Sequence, residues 1–374
     1  MCNKKSKLVL IIAFSTVVLI TGCSGENNTE KAENAITQQE TVRKEGQVQD
    51  ETNTAQEGGV GYDFPDSIQK TEGNVVFDFS VICPESLREG ALYNSTAEII
   101  SYDTEKAKKV FGNALDTEAL ESNEEGKILS VDQSGLNCVS KLGSYYINSV
   151  DTDSEEGNLE KYSTDTDLEF MSRQQAYEDI MTTLNELGVS VGECEYTCYA
   201  LDVETLKQEE SVIDSEGNQD AASLKPEWTK EDEGYYFAIR QKVQGIIEYH
   251  PYGNVFAKLS EENAPIQVYY SKNGIERIVI EKVFTFTQGE KTINLQPFDT
   301  ILETVAGRYN DIITDATYQV KEGGLYYKTA TFGKEMMPVW VFQIEEHTED
   351  GEVYAINLVV DAQTGKEIPM EGTY

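Results

Sequence analysis

The chain has 374 residues, with 30 Lys+Arg against 67 Asp+Glu and a formal net charge of −37 at pH 7. Such acidity argues against nucleic acid and anionic lipid headgroups as partners, because both would be repelled. The length suits two hydrophobic cores once a leader is set aside.

The leader comes first. Lys4, Lys5 and Lys7 are followed by an apolar run from Leu8 to Ile20, interrupted only by Ser15 and Thr16. Charge, a short apolar run and small residues in that order predict a secretory signal peptide over 1–22, too short to span as a stable membrane helix. Ile20-Thr21-Gly22-Cys23 resembles the lipobox of bacterial lipoproteins. The resemblance implies that the Cys23 thiol is diacylated and that the chain is cut just before it. Lipidated Cys23 would then be the mature N-terminus, anchored to the outer face of the cell membrane. The cut removes three lysines and no acid, so membrane attachment would rest on the acyl chains. Residues 23–60 are expected to form a flexible tether, since Ser24 to Gly59 holds no aromatic residue and is rich in Glu, Asn, Gln and Thr.

A first α+β domain is expected over 61–206. Val75, Phe77, Phe79 and Val81 alternate with Asp78 and Ser80, the pattern of a half-buried strand. Ala97 to Tyr102 reads as a second strand, and Asp103 caps a short helix from Thr104 to Phe111. Lys127–Val131, Leu136–Leu142 and Ser144–Val150 read as further strands. Ser172-Arg173-Gln174-Gln175 fits a capping box; the helix behind it carries Ala176, Tyr177, Ile180, Met181, Leu184 and Leu187 on one stripe and ends at Gly188. Val189 to Asp202 returns as a strand.

Residues 207–233 are acidic and turn-rich and predict an interdomain linker or long loop. A second α+β domain follows over 234–374. Its strands are expected at Tyr235–Tyr249, Val255–Leu259, Ile266–Ser271 and Ile275–Thr287, with Asn273-Gly274 as a hairpin turn. Pro297 opens a helix whose Phe298, Ile301, Leu302, Val305, Tyr309 and Ile312 share one stripe. Asp315–Val320, Gly324–Ala330, Met337–Glu346 and Glu352–Asp361 complete the set. Each domain thus predicts an antiparallel sheet with one main amphipathic helix packed on it.

Four cysteines follow Cys23, at 83, 138, 194 and 198. Outside the membrane they could pair or stay free. Cys194 and Cys198 cannot pair with each other along one strand, because four residues at strand rise span roughly 13 Å. Zinc is not expected, since no C-x2-C pair occurs. His250 and His347 both fall in turn-like stretches and belong to no recognisable triad or metal motif, so both read as surface residues. Trp228 and Trp340 read as packing residues. Asp151, Asp153 and Glu155 resemble the start of an EF-hand loop, but Glu156 stands where the loop needs Gly. They are at most candidates for weak calcium binding. No catalytic residue and no cofactor is expected. Four tyrosine pairs occur, at 145–146, 235–236, 269–270 and 326–327. On strands each pair would put one ring into the core and the other on the far face, with cross-strand tyrosine packing as the plainest outcome.

The last forty residues carry a further likeness. Pro338-Val339-Trp340-Val341-Phe342-Gln343-Ile344 and Tyr354 to Ile368, with Asp361-Ala362-Gln363-Thr364-Gly365-Lys366, resemble the closing hairpin of a PepSY-type module, with 298–312 as its helix. The layout of 234–368 is similar to the Yyc accessory proteins that restrain a cell-wall-sensing histidine kinase in Gram-positive bacteria, with a lipid anchor in place of their transmembrane helix. The whole chain resembles uncharacterised clostridial surface lipoproteins. The resemblance implies interaction and inhibition and supplies no catalytic residue. The expected function is therefore a non-catalytic binding or regulatory module at the envelope, with an envelope protein or peptide as partner. The alternatives are an envelope hydrolase acting on peptide or glycan, and a substrate-binding lipoprotein of a transporter. The last is disfavoured by the lack of repeated βαβ patterns.

Overall fold

In the computed structural model, the described residues are 62–112, 126–152, 157–250, 264–312, 314–329 and 334–369. The signal peptide, Cys23, the tether, Asp153, Glu155 and the expected strand at Val255–Leu259 lie outside them. The fold below is that of the unit formed by residues 59–214 and 218–374.

The chain begins with β1 (Ser67–Glu72), β2 (Val75–Ile82), a single turn α1 (Ser86–Glu89), β3 (Leu92–Ile99) and α2 (Thr104–Phe111). Then come β4 (Ile128–Val131), β5 (Gly135–Val139), α3 (Lys141–Ser149), α4 (Arg173–Leu187), β6 (Cys194–Leu201) and α5 (Val203–Glu209). The second half supplies β7 (Gly234–Val243), β8 (Ile246–Ile247), β9 (Ile266–Ser271), β10 (Gly274–Glu281), β11 (Phe284–Ile293) and α6 (Phe298–Asn310). It closes with β12 (Thr317–Thr329), β13 (Met336–His347), β14 (Val353–Asp361) and β15 (Glu367–Ile368).

The class is α+β, dominated by antiparallel sheet as expected. The helix caps also follow the sequence. Asp103 accepts from the amides of Glu105 and Lys106, Ser172 and Gln175 form a reciprocal capping box, and Gly188 ends α4 at φ 82°. Sheet membership corrects the expected boundary. One large sheet runs β1-β2-β12-β13-β14-β15, a second β4-β5-β10-β9-β7-β6, and β3 pairs with β11 in a two-stranded third, so each draws strands from both sides of 207–233. The crossing pairs are β2 with β12, parallel, and β5 with β10, β6 with β7 and β3 with β11, all antiparallel. Alternation along a strand specifies which face is buried and says nothing about which strand lies alongside.

The stretch 207–233 joins β6 to β7, which are neighbours in one sheet, so it is a long connection within that sheet. It is packed: Trp228 lies against Tyr146 with ring centroids 6.1 Å apart and donates from its indole N–H to Glu210 at 2.7 Å. Ser144 to Ser149 is helical where the sequence predicts a strand from Ser144 to Val150. Ser140 caps α3 by accepting from the Gly143 amide, and the apolar positions serve a helix face as well as a strand face. The expected strand from Ile275 to Thr287 is two strands, parted where Lys282 takes φ 49°.

Three apolar layers organise the packing. α6 lays Phe298, Ile301, Leu302, Val305 and Tyr309 onto the six-stranded sheet, where Trp340 and Phe342 are fully buried. α4 and α2 cover one face of the other sheet, with Ile180, Leu184 and Phe111 on Phe237, Ile239 and Ile278. α3, α5 and Trp228 cover its second face over Tyr236 and Tyr269. That sheet is therefore greasy on both sides, which explains why both members of the pairs 235–236 and 269–270 are buried. Tyr236 packs on Tyr269 at 4.8 Å, the cross-strand packing that the pairs predict.

Candidate functional site

The sharpest local geometry lies between β7 and β8. Gln244 and Gly245 both have positive φ, 54° and 79°, which makes a two-residue hairpin turn with a non-glycine in the left-handed region. The Gln244 side chain offsets that cost by clasping β3. Its amide donates to the Tyr93 carbonyl at 2.7 Å and to Ser95 Oγ at 2.9 Å, and its oxygen accepts from the Tyr93 amide at 3.0 Å. The turn sends the next residues across to the other sheet: Tyr249 donates its amide to the Tyr327 carbonyl at 2.7 Å, and Glu248 bridges Tyr327 in parallel.

Glu248 is thereby sealed in the joint. It is 5% exposed; Thr329 Oγ1 donates to its Oε1 at 3.1 Å, and Oε2 has no hydrogen-bond partner. Burial pushes this carboxyl up to about 8, against the opposing pull of Thr329, Lys328 and Lys282. His250, two residues on, is 6% exposed and its pKa is pushed down to about 4 by burial and by the Lys282 charge. That corrects the expectation of a surface histidine; His347 is half-buried beside Glu345, 3.1 Å away. Both residues have a sequence signal, because Glu248 and His250 continue the apolar run Ile246-Ile247 at alternate positions. Both are buried, and Glu248 ties the chain after β8 to β12 through Thr329 and the bridge to Tyr327.

A second buried acid, Glu276, has both carboxyl oxygens paired. Glu276 accepts from Ser271 Oγ at 2.6 Å and from Ser140 Oγ, while Ser140 also caps α3. No imidazole faces either hydroxyl, so the trio ties α3 to the β9–β10 hairpin. Among the described residues, no group of three or more His, Cys, Asp or Glu is placed to hold a metal ion. Of the calcium candidates only Asp151 is described, and it is exposed, with its amide bonded to Asn158 Oδ1 at 2.8 Å. The four described cysteines are free.

The Asp-x-x-Thr-Gly-Lys stretch forms the β14–β15 turn. Asp361 accepts from the amides of Gln363 and Thr364 and from Thr364 Oγ1, and Gly365 takes φ 69°. α6 holds this turn from below through Thr304 Oγ1, which donates to the Gly365 carbonyl at 2.7 Å. Its role here is to close the sheet.

What the sheet leaves uncovered is the first half of β14. β15 pairs only with Val359 and Val360, and Pro369 follows it. Among the described residues, no strand pairs with the outer side of 353–357. These residues are Val-Tyr-Ala-Ile-Asn, with Val353 40% and Tyr354 49% exposed. The adjoining β13–β14 tip carries Glu345, Glu346, Glu349, Asp350 and Glu352, and of the acids at 349, 350 and 352 all are exposed.

No family model matches the chain, and no curated protein does. Among solved structures, the crystal structure of an uncharacterized protein from Eubacterium rectale ATCC 33656 is similar, with a TM-score of 0.56 at 18% identity over 82% of this chain and 94% of that one. At that identity the likeness speaks for the fold alone.

Proposed function

We propose that the chain is an extracytoplasmic lipoprotein, held on the outer face of the cell membrane through Cys23, whose folded body is a non-catalytic binding or regulatory module of the envelope. The observation that carries this reading is Ile20-Thr21-Gly22-Cys23, set directly behind a lysine-led apolar run. Two features support the binding half. The buried carboxylates Glu248 and Glu276 are spent on joining elements. The open part of β14 offers backbone and apolar side chains to a partner. The α6-led unit with its Asp361 turn favours a PepSY-like reading of 298–368 and, with it, an envelope protein or peptide as partner.

The test is Cys23→Ser. Serine removes the thiolate that lipid transfer needs, and cleavage of a lipoprotein leader follows acylation. Loss of acyl chains removes about 0.8 kcal/mol per buried CH₂, enough to abolish membrane retention of the mature form. Metabolic lipid labelling with fractionation reads both effects. Equal labelling of wild type and variant would sink the proposal.

A further inference from the structure

The outer strands of the two sheets differ in how they are protected. β1 carries Lys70 and Glu72 and keeps to six residues; β4 has only four. β6 is bridged on its outer side, where the Ala200 amide donates to the Ser163 carbonyl at 2.8 Å. Charge, shortness and a cover are the usual devices against stray strand pairing. Residues 353–357 of β14 have none of them: no charge, two well-exposed apolar side chains and no described strand alongside.

The phase of the open edge can be read from the turn. The Asp361 amide donates toward β15, to the Lys366 carbonyl at 2.8 Å. In an antiparallel ladder alternate residues direct both backbone groups to the same side. Asn357, Ala355 and Val353 therefore turn their N–H and C=O outward, a ladder five residues long, or ~17 Å at strand rise. Charge selects the occupant. A second copy would bring another strongly negative chain and a second acidic tip, whereas a cationic strand would meet Glu349, Asp350 and Glu352 at the near end of the edge.

We propose that the open edge of β14, residues 353–357, binds an extended cationic peptide segment by strand addition, with the acidic β13–β14 tip setting the preference for positive charge. The proposal rests on the reading of this chain as a binding module and names its partner's chemistry.

The experiment uses the mature lipidated protein in detergent and two labelled probes, acetyl-KVKVKVK-amide and acetyl-EVEVEVE-amide, with binding read by fluorescence anisotropy. The lysine probe should bind at least tenfold more tightly than the glutamate probe. Ala355→Pro removes an outward N–H without touching the β13 ladder and should weaken the lysine probe at least tenfold. Glu349→Gln, Asp350→Asn and Glu352→Gln together should weaken it severalfold and flatten its salt dependence. Should Ala355→Pro melt early, Val353→Lys on the exposed position replaces it, with the same expected loss. Equal binding of both probes, or unchanged binding by these variants, would overturn the proposal. A dimer by sedimentation that Ala355→Pro or Val353→Lys dissolves would overturn it too, in favour of self-pairing. Any of these failures would leave lipid labelling at Cys23, and so the anchored reading, standing.

Discussion

Glu248 meets Thr329 inside the joint between the two sheets, with Thr329 Oγ1 donating to Oε1 at 3.1 Å and Oε2 left without a partner. The carboxyl reaches that place because the Gln244-Gly245 turn throws β8 across to β12. An ionised carboxylate there would lack solvation, so the neutral acid is favoured and the pKa rises from 4.5 to about 8. The folded state thus holds a proton that the unfolded chain releases. Its contribution is fully present below pH 4.5 and is lost as pH rises through about 8. Glu248→Gln should remove this slope. Between pH 6 and 9 the wild-type melting temperature should fall relative to the variant's, by an amount on the order of a few kcal/mol in stability. Parallel curves would show that Glu248 is solvated in the native protein.

His250 acts in the opposite direction. Its folded pKa is depressed from 6.5 to about 4 by burial and by Lys282. A depressed histidine contributes stability that is present above pH 6.5 and lost as pH falls through about 4. His250→Gln should lessen acid destabilisation across that window while leaving the alkaline limb to Glu248. Chemical denaturation at pH 4.5 and pH 7 checks it: the difference between the two should shrink in the variant. An unchanged difference would place the imidazole in solvent.

The four described cysteines should be slow nucleophiles. Burial pushes Cys83, Cys138, Cys194 and Cys198 up to about 12 each, so the thiolate fraction at neutral pH is minute. In the native fold a disulfide-exchange reagent at pH 8 should label these thiols far more slowly than in denaturant. Four thiols titrating within seconds under native conditions would contradict the packing.

Local signals were legible in this chain and long-range ones were not. Asp103, the Ser172–Gln175 box and Gly188 announce their helices because capping is a contact between residues three or four apart. Phe298 to Tyr309 reads as a sheet-facing stripe for the same reason. The partnership of β2 with β12 leaves no local trace, since the Phe77↔Val320 match depends on residues more than two hundred positions apart. Tyr145, Tyr146 and Ile147 suit either period because they sit together in a short stretch of mixed polarity, and the Ser140 cap decides for the helix. Of the site, the Asp361 turn was visible as a motif. The open edge was not, because it depends on how short β15 is.

The last prediction sets two glycines in helices against each other. Alanine is worth about 1 kcal/mol more than glycine in a helix interior, so propensity alone favours Gly→Ala in both. Gly307 in α6 has open space where a Cβ would stand, and there propensity should win. Gly307→Ala should stabilise by ~0.5–1 kcal/mol. Gly143 in α3 lies against β10: a Cβ would stand 2.4 Å from the Glu276 carbonyl oxygen and 2.9 Å from its carbon. Those atoms are backbone held in a sheet and cannot swing aside. The helix must lift, and with it Ser140, which caps α3 and donates to the Glu276 side chain. Gly143→Ala should therefore destabilise by about 2 kcal/mol or more, reversing the sign that propensity predicts. Paired urea denaturation of the two variants measures both signs. A stabilising Gly143→Ala would mean that α3 sits farther from β10 than the fold described here places it.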